Sequence, residues 1–152
     1  MRRRSGFTLV ETLIAVVIVS LMTLMAYPRV NRAVSKSNVR AARTRLVNMF
    51  AAARAAATQN SRTAAYMEFN GNTAVVTAAP RRTIGGAGSR DTIGLAVNLN
   101  TVYGVTLNAP VASVQYDPRG LALGVSAGSK FKVTKGSYAD SLTIDQVGRV
   151  KK

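Results

Sequence analysis

The chain has 152 residues, no cysteine, no histidine, and a formal net charge of +15 from 21 basic and 6 acidic residues. Without cysteine it can form no disulfide or thiolate metal site, and without histidine it lacks the commonest general base. The scattered acids argue against a paired-carboxylate active site, so we expect no enzyme, no cofactor and no metal. The charge favours polyanionic partners such as nucleic acid, anionic lipid or acidic protein, and the alternative is charge that only keeps the chain soluble.

Residues 7–27 form an apolar run of 21 residues with a single charge, Glu11. About 20 apolar residues cross a bilayer as a helix, so the run predicts a single-pass membrane anchor. Arg2, Arg3 and Arg4 precede the run, and by the positive-inside rule they predict a cytoplasmic amino terminus. A cleaved secretory signal has a shorter apolar core. A carboxylate inside a span is costly and indicates a function with a cationic partner, which the run itself does not contain.

The stretch GFTLVE, followed by the apolar run and Pro28, resembles the class III signal of type IV pilins and pseudopilins. The resemblance implies that a prepilin peptidase cuts after Gly6 and that the new amino terminus, Phe7, is N-methylated. It also implies that Glu11 pairs with the cationic amine of Phe7 on a neighbouring subunit. Pro28 matches a proline that is common in pilin helices.

The helix is expected to continue past Pro28 to about Asn60, because residues 40–57 are rich in alanine and arginine. A kink is expected at Pro28, which lacks a backbone donor and clashes with the carbonyl of Leu24. Basic residues recur at steps of three and four on one face, namely Arg29, Arg32, Lys36, Arg40 and Arg43. The opposite side, which is predicted to be packed, carries Val30, Val34, Ala41 and Ala52. No acid lies between Glu11 and Glu68 to neutralise the basic face.

Beyond the helix the hydrophobic period changes to two, which predicts strands. Residues 65–69 and 73–77 flank Asn70-Gly71, a strong hairpin signal. Residues 80–91 (PRRTIGGAGSRD) predict an exposed basic loop. Further short strands are expected at residues 93–99, 102–107, 111–116, 121–125, 131–134 and 142–145.

Four pieces of the chain also resemble the GspH/FimT branch of minor pilins and pseudopilins. They are residues 53–57 near the helix end, Asn70-Gly71, residues 114–120 (VQYDPRG) and residues 147–150 (VGRV). The implied fold class is α+β and pilin-like, with a long N-terminal helix, transmembrane in its inner half, packed against a β-rich head. The expected segments are a leader (1–6), the transmembrane and assembly half of the helix (7–28) and the head with the outer half of the helix (29–152).

The resemblance implies a structural subunit of a type IV pilus or a type II secretion filament. Its partners would be prepilin peptidase and other pilin or pseudopilin subunits. It would sit in the bacterial inner membrane with its head in the periplasm or in an envelope or extracellular filament. The alternative is a minor pilin that binds extracellular double-stranded DNA for uptake in natural transformation.

The DNA alternative rests on the tail. In DNA-binding members of the branch a Gly-Arg-x-Arg tail is implicated, and this chain ends GRVKK, where lysine keeps the charge of the second arginine but loses its bidentate fork. We expect the tail to be solvated. The expected DNA contacts are Arg149, Lys151 and Lys152 in the tail and Arg81, Arg82 and Arg90 in the basic loop, with Lys130, Lys132 and Lys135 as further candidates.

Two catalytic patterns fail on inspection. Residues 124–128 (GVSAG) match a nucleophile motif, but the chain has no histidine to activate Ser126. Residues 85–88 (GGAG) lack the Lys-Ser/Thr that follows in a phosphate-binding loop, and a flexible loop explains them better.

Overall fold

The computed structural model describes residues 8–59, 64–79, 90–126 and 128–151. The chain divides into two compact units, which we call the N-terminal unit (Met1–Ser35) and the C-terminal unit (Lys36–Lys152). One helix, α1 (Leu9–Gln59), contributes to both. It runs through Pro28 and reaches Gln59, which confirms the predicted length, whereas the kink at Pro28 stays a prediction.

The packed face of α1 differs from the prediction. Within the C-terminal unit the helix buries one apolar face, made of Val39, Ala42, Leu46, Met49, Phe50, Ala53, Ala56 and Ala57. The residues predicted to pack, Val30, Val34, Ala41 and Ala52, are all exposed. Leu46 and Phe50 have far more apolar area to bury than an alanine, so the large side chains determine which face turns inward.

The remaining described residues form two antiparallel sheets and a short helix. The elements are β1 (Ala65–Asn70), β2 (Thr73–Ala78), β3 (Asp91–Thr92), β4 (Val97–Asn98), α2 (Leu99–Tyr103), β5 (Thr106–Asn108), β6 (Ser113–Tyr116), β7 (Ala122–Leu123), β8 (Ser129–Lys135), β9 (Tyr138–Ile144) and β10 (Val150–Lys151). The first sheet has the order β3-β2-β1-β6-β7, with β4 also paired to β2, and the second has the order β10-β9-β8-β5.

Three aromatic rings join α1 to both sheets. Phe50 comes from α1, Phe69 from β1 in the first sheet and Phe131 from β8 in the second. The ring centroids of Phe50 and Phe131 are 5.2 Å apart, and those of Phe69 and Phe131 are 5.1 Å apart. These spacings are typical of favourable aromatic pairs, and Phe50 and Phe131 are fully buried whereas Phe69 is partly buried.

The predicted hairpin is confirmed, since β1 and β2 pair in register from Ala65–Ala78 to Asn70–Thr73. The strand predicted at residues 102–107 is wrong in its first half, where α2 lies. The side chain of Asn98 accepts hydrogen bonds from the amides of Asn100 (2.9 Å) and Thr101 (3.2 Å), and Gly104 ends the helix with φ +62°. The strand predicted at 93–99 is reduced to β4, and β10 was not predicted.

Candidate functional site

The amino-terminal end of α1 is built around Thr8 and Glu11. The amide of Glu11 donates to the carbonyl oxygen (3.1 Å) and to Oγ1 (3.3 Å) of Thr8. Thr8 followed by Glu11 three residues later is the capping-box pattern, and a carboxylate in the first turn also interacts favourably with the helix dipole. Glu11 therefore has a local stabilising role in addition to the predicted pairing. Gly6 and Phe7 lie outside the described residues.

Glu11 has no basic residue near it along the described part of the N-terminal unit. The next cation after it is Arg29, 18 positions further along the helix. At 1.5 Å of rise per residue this separation is about 27 Å, too far for an ion pair. Residues 8–35 of the same chain therefore do not supply a counter-charge for the exposed carboxylate of Glu11.

The surface of the N-terminal unit suits a lipid or a helical partner. Every described residue from 8 to 34 is exposed. An 18-residue window of α1 has a mean hydropathy of 2.4 and none of it is buried, so the helix is long and apolar enough to cross a membrane. The hydroxyls of Ser20 and Thr23 donate to the carbonyls of Val16 and Val19, each at 2.8 Å. These polar groups are thus satisfied within the helix, as an apolar medium requires.

Two equivalent turns carry the motif pieces at residues 114–120 and 147–150. In the first turn, Oδ1 of Asp117 accepts from the amides of Arg119 (2.9 Å) and Leu121 (2.8 Å), and its carbonyl accepts from Gly120. Asp145 makes the same bonds in the second turn. Its Oδ1 accepts from the amides of residues 147 (3.0 Å) and 149 (3.1 Å), and its carbonyl oxygen accepts from the amide of residue 148. Both turns have the sequence Asp-x-x-Gly with glycine at positive φ.

The two turns pack against each other. Gly148, at φ +73°, lies so close to Gly120 that a Cβ at position 148 would overlap the Gly120 carbonyl oxygen. The amide of Ala122 donates to the carbonyl of Gln146 at 3.1 Å, which ties the turns together. Glycine at position 148 is therefore required both by the backbone conformation and by the close approach. The contact joins the carboxy-terminal segment to the first sheet.

The tail is part of a sheet, a pairing that the sequence did not predict. Val150 and Lys151 form β10 and pair with Ile144 and Thr143 of β9. Nζ of Lys151 lies 3.2 Å from Oδ2 of Asp145. The amide of Arg149, followed by the neighbouring Lys151, lowers the pKa of Asp145 below its ordinary value. Arg149 and Lys151 are exposed, and Lys152 lies outside the described residues.

The tail cations lie beside a basic sheet face, which we define as Lys130 and Lys132. On β8 the buried residues Phe131 and Val133 alternate with the exposed Lys130 and Lys132. Lys130 and Lys151 are both opposite Thr143 of β9, one on each side. Strands lie about 4.8 Å apart, so these two lysines are roughly 10 Å from each other. The further candidate Lys135 is engaged elsewhere, since its Nζ donates to the carbonyl of Tyr103 at 2.9 Å.

Several cations predicted to be free have acidic partners. Arg90 forms an ion pair with Glu68, and its guanidinium lies 3.8 Å from the ring centroid of Tyr66. Nη1 of Arg43, predicted to be part of the solvated basic face, lies 3.2 Å from Oδ2 of Asp140 on β9, and its side chain is only 14% exposed. Arg81 and Arg82 lie outside the described residues. Among the described cations that were expected to contact DNA, Lys130, Lys132 and Arg149 are therefore exposed without an acidic partner, whereas Arg90 is paired.

Comparison with known proteins agrees with this architecture. The prokaryotic N-terminal methylation motif matches residues 1–27. The crystal structure of the type IV minor pilin FimU from Pseudomonas aeruginosa is similar, with a TM-score of 0.54 and 15% identity over 76% of this chain and 87% of that chain. A second crystal form of FimU gives a TM-score of 0.49 and 16% identity over 74% and 90% of the two chains. The search of curated proteins gave no match.

The chain thus combines the prokaryotic N-terminal methylation motif with a type IV pilin-like fold. The predicted α+β pilin fold, with a long helix against antiparallel sheets, is confirmed. The motif implies processing by a prepilin peptidase and assembly with other pilins, and the apolar helix implies membrane anchoring with the remainder outside the cytoplasm.

Proposed function

We propose that the chain is a minor pilin or pseudopilin subunit that enters a type IV pilus or a type II secretion filament. The observation that carries this proposal is the methylation motif at residues 1–27, followed directly by an exposed apolar helix with Glu11 in its first turn. The likeness of the fold to a minor pilin supports it. The proposal includes three segments: a leader (1–6), a membrane and assembly segment (7–28) and a head (29–152).

Processing is proposed to follow the motif. Prepilin peptidase removes the leader after Gly6, and Phe7 becomes the methylated amino terminus. The new amine of a neighbouring subunit then supplies a counter-charge that residues 8–35 do not provide to Glu11. Because an unpaired carboxylate in an apolar medium is costly, pairing with the amine of a neighbour would favour assembly. Pro28 belongs to the same assembly segment.

The proposed topology is a single pass through the bacterial inner membrane with a cytoplasmic amino terminus. Charge alone does not determine this orientation, because the flank beyond the apolar run, with Arg29, Arg32 and Lys36, is at least as basic as the leader. The motif supports it instead. Long domains are translocated largely regardless of their charge, so the basic C-terminal unit does not oppose it.

The test of processing is Gly6→Leu, with Gly6→Ala as the matched control. A bulky residue at the scissile position should block the peptidase and leave the full precursor in the membrane fraction, whereas alanine should still permit cleavage. Intact-mass analysis of both variants beside the parent gives the result. A mature chain of parental mass from Gly6→Leu would contradict the proposed cleavage site.

The second candidate function, favoured by the basic sheet face and the tail, is binding of double-stranded DNA within the GspH/FimT branch. Lys130, Lys132 and Arg149 are exposed, and no acidic residue in the described chain pairs with them. No base-reading element is evident in the described chain, so phosphate contacts should dominate, and log affinity should fall with log salt by about 0.9 for each phosphate neutralised. Lys152, Arg81 and Arg82 remain proposed contacts, with Arg90 a weaker one.

The DNA test compares three variants of the full chain that each lose two charges. The sheet pair is Lys130→Gln with Lys132→Gln, the tail pair is Arg149→Gln with Lys151→Gln, and the control pair is Arg45→Gln with Arg119→Gln. Anisotropy titration with a labelled duplex at two salt concentrations should show that the sheet and tail pairs each reduce the salt slope by up to about 1.8. An equal loss in the control pair would mean that net charge alone attracts DNA.

A further inference from the structure

A cleft of about 240 Å³ opens in the C-terminal unit beside α1. Its wall is formed by α1 and by the start of β9. The lining residues are Lys36, Val39, Arg40, Tyr138, Ala139 and Asp140. The cleft is far larger than a single water needs, and its two exposed cations give it a positive charge.

The positive charge of the cleft is not neutralised within the described chain. Lys36 and Arg40 are exposed, and no described carboxylate lies within ion-pair distance of either. Asp140 also faces the cleft, but its Oδ2 is paired with Arg43 at 3.2 Å and its Oδ1 accepts from the amide of Ser141 at 2.8 Å. The carboxylate is thus already occupied, and the charges of Lys36 and Arg40 remain available.

The cleft begins soon after the end of the apolar run in the sequence. Lys36 follows Tyr27 by nine positions, and nine residues extend at most about 30 Å in any conformation. Tyrosine at the end of an apolar span is typical of the headgroup level of a membrane. Arg29 and Arg32 lie between the two in the sequence and add further positive charge to this segment. A lipid surface is therefore the nearest source of anions for an anchored chain.

We propose that this cleft binds the phosphate headgroup of an anionic phospholipid in the membrane that anchors the unassembled subunit. Lys36 contributes a point charge, Arg40 contributes a fork that can donate two hydrogen bonds to a phosphate, and Tyr138 contributes an aromatic wall. The inference rests on the proposed membrane anchoring. It accounts for the basic residues in a translocated flank, where basic residues are normally depleted. Binding would hold the C-terminal unit against the bilayer before assembly.

The experiment uses the full chain reconstituted in nanodiscs of phosphatidylcholine that contain a minor share of phosphatidylglycerol. Spin-labelled versions of the two lipids report the preference of the protein for the anionic headgroup. The cleft variant is Lys36→Gln with Arg40→Gln, and the control pair Arg45→Gln with Arg119→Gln removes the same charge outside the cleft. Both cleft residues are exposed, so the variant should fold, and thermal melting checks this.

The parent should prefer phosphatidylglycerol over phosphatidylcholine. In the cleft variant this preference should fall about fivefold for each charge removed. The control pair should stay within about twofold of the parent. A cleft variant that stays in the disc with an unchanged preference would overturn the inference while leaving the anchoring intact. A chain that does not stay with the disc would overturn the anchoring itself, and the inference with it.

Two further arms identify the source of the anion. If inorganic phosphate at matched ionic strength abolishes the preference, the cleft is a site for free anions, and the lipid assignment is wrong. If the cleft variant weakens duplex DNA binding more than the control pair does while keeping the lipid preference, the cleft serves DNA. Either result would overturn the proposal.

Discussion

Gly148→Ala tests the contact between the two Asp-x-x-Gly turns. Alanine at φ +73° is strained by about 1 kcal/mol. Its Cβ would also overlap the carbonyl oxygen of Gly120 and lie 3.0 Å from Cε1 of the fully buried Tyr116. Relieving such an overlap in a packed region costs typically about 1–3 kcal/mol. We expect a total loss of about 2–4 kcal/mol, a large fraction of the stability of an ordinary domain.

The matched control is Gly136→Ala in the turn between β8 and β9. Gly136 also has positive φ, +57°, but a Cβ there would meet nothing within 4 Å. It should cost only about 1 kcal/mol. Urea and thermal melts of the full chain in detergent should therefore separate the two variants by several degrees in Tm. Equal losses would refute the reasoning, because backbone conformation alone would then explain both.

Three other predictions concern charged and titratable groups. Burial raises the pKa of Tyr116 to about 12, so the unfolded chain loses this proton first and the free energy of unfolding should fall by roughly 2–3 kcal/mol between pH 10 and 12. Tyr116→Phe should remove that part of the loss in pH-dependent melts. Parallel stability profiles of the parent and the variant over this range would count against it. Glu11→Leu and Glu11→Gln should both insert but co-purify poorly with sheared filaments, and normal entry of the glutamine variant would show that capping matters and charge does not. Asp140→Asn should lower the free energy of unfolding in a urea melt by roughly 1–2 kcal/mol, because its partner Arg43 is mostly buried. Lys151→Gln breaks an exposed pair and should lower it by well under 1 kcal/mol. Similar losses for the two variants would contradict this.

Local signals predicted the elements whose residues decide their own structure. The length of α1 followed from alanine and arginine propensity, and the β1–β2 hairpin followed from Asn70-Gly71 between alternating segments. Residues 99–103 were misassigned because LNTVY alternates like a strand, although Asn98 before it and Gly104 after it are helix-boundary signals. The predicted packed face of α1 was wrong because the face that is buried depends on how the sheets pack against the helix.

The pairings in the candidate sites could not be predicted because they join distant positions. Arg43 and Asp140 are 97 residues apart, and Arg90 and Glu68 are 22 apart. The cleft likewise needs β9 to lie beside Lys36. A closer reading could have found the repeated Asp-x-x-Gly pattern at 117–120 and 145–148, but only the sheet topology shows that the two turns touch.

The most direct test of a processed, membrane-anchored filament subunit is mass spectrometry of the amino-terminal peptide of the chain recovered from sheared filaments. The account predicts a peptide that begins at Phe7 and carries one added methyl group on its amine. Recovery of the chain with Met1 and the leader still attached, or its absence from filaments despite stable membrane insertion, would contradict the account.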